Sequence, residues 1–424
     1  MSESCQVYRI EAELGSINVV THELLDYKGK TLYSIANDYF EKKNPKEQFK
    51  SSCMEELMLK MAVFQSYRPE ADLLNRIRQQ KEGVKTTTLR NIVEKQGKTI
   101  NEDLHKKAEE ILVANGFTED GYKLEDTKIA ELKPGTETQE EREERENKVI
   151  ATATELRIKD IRTEDYENPE QTVNISADDV LSDRQATNRP NSAEKGKKKY
   201  VSNTNIDIQK GKEAYIINDK NIKEALKLLM GFLLANSLIG QYQLVFFTDG
   251  AKDINDPINS MFGFVAYKII LDWYHLKEKV KQRLSMGMKG CKLRNAFLDK
   301  ILPLLWKGDV AGAIALLENL PEDQVKTPEQ ITRLIEYLKR NQKYIPCYIM
   351  RSMLGLRNSS NSVENTNGRV VSYRQKARGM SWSKEGSAGL ATVSAATLNG
   401  ELINWTKNRT MKFSFNCDDD KKAA

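Results

Sequence analysis

The sequence predicts an α/β core that carries an all-helical insertion, preceded by a small β region and a helical region. Three observations predict it. Residues 171–275 alternate between strand-like runs and apolar helices, the pattern of a sheet with helices on its faces. Residues 276–355 repeat Leu and Ile at spacings of three and four without a strand signal, which is helical throughout. Near Lys46 the amino-terminal region switches from strand-like alternation to helical spacing.

In residues 1–45 the runs Val7-Tyr8-Arg9-Ile10, Ile17-Asn18-Val19-Val20 and Thr31-Leu32-Tyr33 alternate. Gly15 and Lys28-Gly29-Lys30 punctuate them as turns, so a small antiparallel sheet is expected. Residues 46–170 form the helical region: Met54, Leu57, Met61 and Phe64 recur at helical spacing, as do Leu73, Leu74 and Ile77. Within it, a turn at Gly83, a threonine N-cap and a helix carrying Thr88, Arg90 and Asn91 fit a helix-turn-helix over 82–101. The same pattern also serves in three-helix packing units that never meet DNA. The run Glu140-Glu141-Arg142-Glu143-Glu144-Arg145-Glu146 reads as a solvated helix face or an acidic linker.

The core begins at residue 171. Thr172 to Ala177 reads as a strand ending in Asp178-Asp179, followed by a lysine-rich loop at 191–199. Two strands follow, Tyr200 to Ile208 and Glu213 to Ile217, joined by a turn at Gly211. Ile222 to Leu238 is an apolar helix. Gln243 to Thr248 is a continuous apolar run, as in a strand buried on both faces, and it ends in Asp249-Gly250. A helix then leads to the strand Val265 to Leu271, which ends in Asp272-Trp273-Tyr274-His275. After the insertion of 276–355, residues 356–424 return to the core with a helix from near Asn361 toward Arg378. This order of elements is that of a ribonuclease-H-like mixed sheet with a helical insertion before its last helix. The insertion is expected to pack as a body separable from the sheet. At its start Lys277, Lys279, Lys281, Arg283, Lys289, Lys292 and Arg294 concentrate positive charge that would line a DNA path.

Composition narrows the chemistry. No window approaches eighteen consecutive apolar residues, which speaks against a transmembrane helix, and the polar start is unlike a secretory signal. Five scattered cysteines without a CxxC pair read as reduced thiols, so a cytoplasmic protein is expected. Only His22, His105 and His275 are present, so any metal chemistry rests on carboxylates. The formal charge of +5 divides into about −9 over residues 1–190 and about +14 over 191–424, a split that suggests a polyanion-binding half.

Three acidic residues fall where the expected architecture gathers them: Asp178 after the first core strand, Asp249 after the fourth, and Glu364 one turn into the last helix. Three carboxylates suit a pair of hard divalent cations, Mg²⁺ or Mn²⁺, which would activate a water or 3′-hydroxyl and stabilise a leaving oxygen. Each residue also has a plain structural reading. Asp249-Gly250 is a common turn, Asp178-Asp179 suits a loop, and Glu364 stands three residues after Asn361 as a capping-box partner would. Arg369, Arg374, Lys376 and Arg378 follow Glu364 and would neutralise phosphates, and Trp382 would stack on an unpaired base or pack inside the fold.

The segments Ala177-Asp178-Asp179-Val180, Thr248-Asp249-Gly250-Ala251, Leu271-Asp272-Trp273-Tyr274-His275-Leu276 and Ser362-Val363-Glu364 together resemble the ISLre-type insertion-sequence transposases. The run from Tyr373-Arg374-Gln375-Lys376 through Met380-Ser381-Trp382-Ser383-Lys384-Glu385-Gly386 looks like that family's tail motif. The resemblance spans residues 172–405. It implies a DDE-type transposase with Asp178, Asp249 and Glu364 as its acids and Asp179 as a competitor for the first place. Double-stranded DNA, at element ends and target, and a homo-oligomer on that DNA follow as expected partners. Asp272-x-x-His275 is similar to the C/D-x-x-H signature of Mutator-like and hAT-like transposases. Here it reads as a structural or DNA-positioning element, or as a helix N-cap at Asp272. The alternative function is a catalytically inactive DNA-binding remnant or repressor derived from such a transposase.

Overall fold

A computed structural model describes residues 2–13, 15–34, 49–80, 83–128, 138–158, 161–185, 200–377 and 379–415. The loop expected at 191–199, Glu82 and Arg378 lie outside these residues. The strands are β1 (Ser2–Ala12), β2 (Gly15–Leu25), β3 (Thr31–Ser34), β4 (Phe49–Lys50), β5 (Thr172–Asp183), β6 (Tyr200–Lys210), β7 (Glu213–Asp219), β8 (Gln243–Thr248) and β9 (Tyr267–Leu271). The first helices are α1 (Ser52–Phe64), α2 (Tyr67–Ile77), α3 (Thr86–Ala114), α4 (Gln139–Glu155), α5 (Ile222–Ala235) and α6 (Lys252–Phe262). Then come α7 (Trp273–Gly287), α8 (Cys291–Trp306), α9 (Val310–Glu318), α10 (Pro328–Asn341), α11 (Tyr348–Met353), α12 (Asn361–Asn367), α13 (Lys384–Leu398) and α14 (Leu402–Asn408). A π-helical turn over Gly368–Ser372 follows α12. No described helix is long and apolar enough to cross a membrane. The chain divides into two compact units, each discontinuous in sequence.

The first unit comprises residues 1–103, 182–201 and 369–412. Its sheet has the order β3-β2-β1-β4, with β1, β2 and β3 antiparallel as their alternation predicts and β4 added parallel to β1. The buried guanidinium of Arg78, just past α2, pairs with Glu11 on β1 and ties the sheet to the helices. Met54, Met58, Leu74 and Leu89 form a common apolar centre for α1, α2 and α3. The threonine N-cap expected before α3 is corrected, because the helix already begins at Thr86. Asn75 on α2 does the turn's work instead: its Oδ1 accepts from the Val84 N–H (2.7 Å) and its Nδ2 donates to the Val84 carbonyl (2.9 Å). Farther along, Gly97 of α3 meets Gly389 of α13 so closely that a Cβ on Gly97 would lie 2.2 Å from the Gly389 carbonyl oxygen. Only a hydrogen fits there.

Glu70 on α2 is fully buried, and neither carboxylate oxygen finds a hydrogen-bond partner among the described residues. Burial pushes its carboxyl up to about 8, with only Arg374 pulling the other way. A folded-state value above the unfolded one makes the group costly as it ionises, so wild-type stability falls as pH rises from about 4.5 to about 8. Glu70→Met is therefore expected to stabilise by about 2–4 kcal/mol above pH 8 and by less near pH 5. Urea midpoints at both pH values check this; a gain independent of pH would show that charge burial is not the cause.

The second unit comprises residues 104–181, 202–368 and 413–424 and holds a five-stranded mixed sheet of order β7-β6-β5-β8-β9. β6 and β7 are antiparallel, and β8 runs parallel to both β5 and β9. Side chains alternate across β8: Leu244 and Phe246 enter one apolar cluster with α5 and α6, while Val245 and Phe247 enter another with α7 to α11. The strand is thus covered on both faces, as its unbroken apolar run predicts.

Two expectations change here. β5 does not end before Asp178 but continues to Asp183, so Asp178 and Asp179 sit within a strand. Its pairing with β8 stops at Ser176, which still leaves Asp178 just beyond the shared edge from which Asp249 emerges. The helical block is also not a separable body. Leu276, Val280, Leu284, Leu334 and Leu338 pack in one cluster with Ile270 and Leu271 of β9, because the outer face of the sheet has the same apolar pattern and requires a cover.

Candidate active site

Asp178, Asp249, His275 and Glu364 come to one end of the second unit's central strands from four different elements. Side chains alternate along β5, so Asp178 and Asp179 face opposite ways. Asp179 Oδ1 accepts from the Thr204 hydroxyl of β6. Asp178 Oδ2 instead accepts from Asn367 Nδ2 of α12 (2.7 Å), and its Oδ1 accepts from the Asp179 N–H (2.9 Å). Asn367 Oδ1 in turn accepts from Asn205 (2.7 Å), and Asn205 Oδ1 from Asn218 (2.7 Å), so a buried amide chain crosses β6 and β7 behind Asp178. Burial pushes the Asp178 carboxyl up to about 6; nearby His275 opposes the rise and the Asp249 carboxylate adds to it. That mutual influence places Asp178 in the field of both groups.

Asp249 follows β8 at a sharp turn. Its Oδ1 accepts from the Ala251 N–H (2.7 Å), and Gly250 adopts φ of 78°, a left-handed conformation that glycine enters without strain. A Cβ at Gly250 would also meet Leu271 and Asn341 side chains within about 3 Å. The turn reading of Asp249-Gly250 is therefore real, and it presents the carboxylate at the end of the strand. Tyr337 of α10 donates to the Asp249 carbonyl (3.1 Å) and holds it from the insertion side.

Asp272 is buried and caps α7, accepting from the His275 N–H (2.9 Å) at Oδ1. Its Oδ2 accepts from both the N–H and the hydroxyl of Ser360 (2.6 Å for the hydroxyl). Ser360 is the N-cap of α12, the helix that carries Glu364. One carboxylate thus joins the helix of His275 to the helix of Glu364. With Ser360 at the cap, Asn361 is the first helical residue, which corrects the capping-box reading of Glu364. Glu364 Oε1 lies 3.9 Å from His275 Nε2 instead. Burial raises its carboxyl, His275 lowers it, and Asp272 adds a smaller upward push. Asp272→Ala removes a cap and strands Ser360, so a loss of about 2–3 kcal/mol is expected, whereas Asp272→Asn should recover part of it. Thermal unfolding of the two variants measures this; equal loss in both would mean that the cap is not the source.

Among the described residues no three Asp, Glu, His or Cys side chains are gathered tightly enough to hold a metal ion as they stand. The close convergence expected of Asp178, Asp249 and Glu364 is thus only partly present: they share a neighbourhood around His275, with Asp178 bonded by Asn367 and Asp249 by the Ala251 N–H. Like charges repel without a counterion between them.

The basic and aromatic candidates of the first unit divide by burial. Arg374 is 4 % exposed, donates to the Ala62 carbonyl (3.1 Å), and places its guanidinium over the rings of Tyr67 (5.0 Å) and Trp382 (5.1 Å). Trp382 is 7 % exposed and donates its indole N–H to the Gln375 carbonyl (3.0 Å). Both are corrected from nucleic-acid contacts to parts of the packing, because each is spent on protein partners. Lys376, Arg369, Thr88, Arg90 and Asn91 lie on α-helical or π-helical segments or their exits; Lys376, Arg369, Arg90 and Asn91 are exposed, Arg90 lying 3.9 Å from Glu94.

Residues 143–412, more than half of the chain, match the family model described as uncharacterised protein family UPF0236. The chain belongs to UPF0236. The matched stretch contains every residue of the acidic cluster and the whole helical block. No curated protein and no solved structure matches the chain. Sequence reasoning on this UPF0236 chain missed Asn367, Ser360 and Tyr337. Asn367 had a signal, since it lies three residues after Glu364 and so shares its helix face. Ser360 and Tyr337 had none, because their partners are 88 residues away in the chain.

Proposed function

We propose that this UPF0236 chain is a DDE-type DNA transposase of an insertion sequence, with a ribonuclease-H-like core that cleaves and rejoins phosphodiesters at its element ends. The observation that carries the reading is that Asp178, Asp249 and Glu364 share a neighbourhood around His275, although Glu364 follows Asp249 by more than a hundred residues. Coincidental turn and cap residues have no reason to meet. The strand order β7-β6-β5-β8-β9, with the helical block between β9 and α12, supports the ribonuclease-H-like assignment.

The donor set suits Mg²⁺ or Mn²⁺ by its chemistry. The donors are hard carboxylate oxygens, and burial, with the Asp249 carboxylate adding to it, pushes the Asp178 carboxyl up to about 6 against the opposing pull of His275. Bound by Asp178, Asp249 and Glu364, such cations would supply activation of the attacking oxygen and stabilisation of the leaving one. The protein's own part is positional. Asn367 aims Asp178, the Gly250 turn presents Asp249, and Asp272 fixes the α12 start and thereby Glu364. His275 stands against Glu364, where it can hold a proton or a phosphate oxygen. Exposed Arg90, Asn91, Arg369 and Lys376 are candidates for DNA contacts. A homo-oligomer would bring two element ends together.

The test is cleavage of a plasmid carrying the sequences that flank the gene, with Mg²⁺, Mn²⁺ or EDTA. Cation-dependent nicking at the ends is expected. Binding to those ends without cleavage under any cation would instead favour the inactive remnant or repressor.

A further inference from the structure

We propose that the cavity between α7 and α10 is a phosphate site, seating a backbone phosphate of the nucleic-acid strand whose neighbouring phosphodiester lies at Asp249. The inference rests on the transposase reading and adds a seat for the strand. The cavity measures about 330 Å³ and is lined by Asp249, Lys279, Arg283, Arg333, Tyr337 and Arg340. Lys279 and Arg283 stand four residues apart on α7, while Arg333, Tyr337 and Arg340 occupy positions i, i+4 and i+7 on α10. Each helix therefore turns one basic stripe toward the other. The wall holds four cations against two carboxylates, Asp249 and Glu336.

Such facing charges repel, and apolar packing below them keeps the helices together. Val280 and Leu284 of α7 share a cluster with Ile331, Leu334 and Leu338 of α10. A Cβ at Gly287 would lie 2.8 Å from Ile331, which shows how near the helices come. The cations are also held in place. Lys279 and Arg340 lie over the Tyr337 ring, at 5.9 and 5.6 Å, and the same tyrosine's hydroxyl holds the Asp249 carbonyl. Arg283 is oriented by Gln330 (2.7 Å). A second hollow of about 380 Å³ adjoins this one and is lined by Asp249, His275 and Lys279 among others. Charge thus changes sign across Asp249, from carboxylates on one side to guanidinium groups on the other. A strand laid across that boundary would meet the acids at one phosphate and the arginines at the next. Guanidinium groups are well matched to phosphate oxygens. Of the basic run expected to line a DNA path, only Lys279 and Arg283 face this cavity, while Lys281 pairs with Glu278 and Arg294 bonds Asn295.

The experiment measures fluorescence anisotropy of a labelled duplex and a labelled single strand with the full chain, in EDTA, over a series of KCl concentrations. Arg333→Gln with Arg340→Gln is expected to weaken binding about tenfold and to flatten the log–log salt slope by about 1–2. Arg333→Lys with Arg340→Lys should restore the slope, since charge is kept. Lys339→Gln, paired with Glu318 on α9, should change neither quantity. If wild type binds and the double glutamine variant matches it, the cavity is no phosphate seat, and the transposase reading stands without it. If wild type binds neither strand form even at low salt, yet pyrophosphate raises its unfolding midpoint and not the double variant's, the cavity takes free phosphate anions. The nucleic-acid proposal and the transposase reading then fall together.

Discussion

Asp178→Asn, Asp249→Asn and Glu364→Gln are each expected to lower cation-dependent strand cleavage by about a thousandfold or more, with DNA affinity within about twofold of wild type. The three amides keep shape and remove one negative charge each. Carboxylates that hold a cation jointly act as a unit, so a double variant should lose little more than a single one. Asp179→Asn is the internal comparison. Its carboxylate is turned to Thr204 on the opposite face of β5, and cleavage should survive the change. Cleavage measured at saturating DNA separates chemistry from binding. Wild-type rates in any one of the three would remove that residue from the chemistry, and wild-type rates in all three would remove the mechanism.

Arg351→Ala should destabilise the second unit by about 3–5 kcal/mol, the largest stability effect expected here. Arg351 and Glu167 are both almost wholly buried and pair through two hydrogen bonds, one of 2.8 Å. Arg351 also donates to the Arg357 carbonyl (2.9 Å). Burial would raise the Glu167 carboxyl, but the hydrogen bonds and charge of Arg351, with Lys268 behind them, hold it below the usual range. A folded-state value below the unfolded one stabilises above the unfolded pKa and fades as pH falls through the folded one. Without Arg351 the direction is expected to reverse, because burial, the largest influence, is then opposed only by a backbone hydrogen bond and the weaker charge of Lys268. The loss should therefore be greatest near pH 8 and shrink below about pH 4. Replacing both partners by methionine should recover much of it, since no charge is then left unpaired. Urea unfolding at the two pH values reads this out. A double variant as unstable as Arg351→Ala would show that lost packing dominates over the stranded charge.

Much of the second unit was legible from local pattern. The apolar run Gln243 to Thr248 announced a strand covered on both faces, and its end at Asp249 followed directly. The Leu and Ile spacing of 276–355 announced helices, and the structure contains them. What escaped was how far an element runs when its neighbours allow it. β5 continues past two adjacent aspartates because β6 still pairs with it, although the residues there look like a loop. Arg374 and Trp382 misled for a similar reason. Composition marks them as ligands for phosphate and base, but Tyr67 and the Ala62 carbonyl reach them first.

By itself the sequence determined the order of the core elements and the strand end at Asp249, and its three histidines restricted which chemistry was expected of it. These are properties of residues and their near neighbours, carried by periods of two and 3.6. Only the tertiary structure decided that Asp178 rather than Asp179 joins the cluster, that Asp272 is a strut between two helices, and that four cations share a cavity beside Asp249. Each of these depends on partners far away in the chain. Asn367 reaches Asp178 across 189 residues and Ser360 reaches Asp272 across 88. No local pattern encodes such a pairing, since the contact forms only once burial of the sheet faces has brought the elements together.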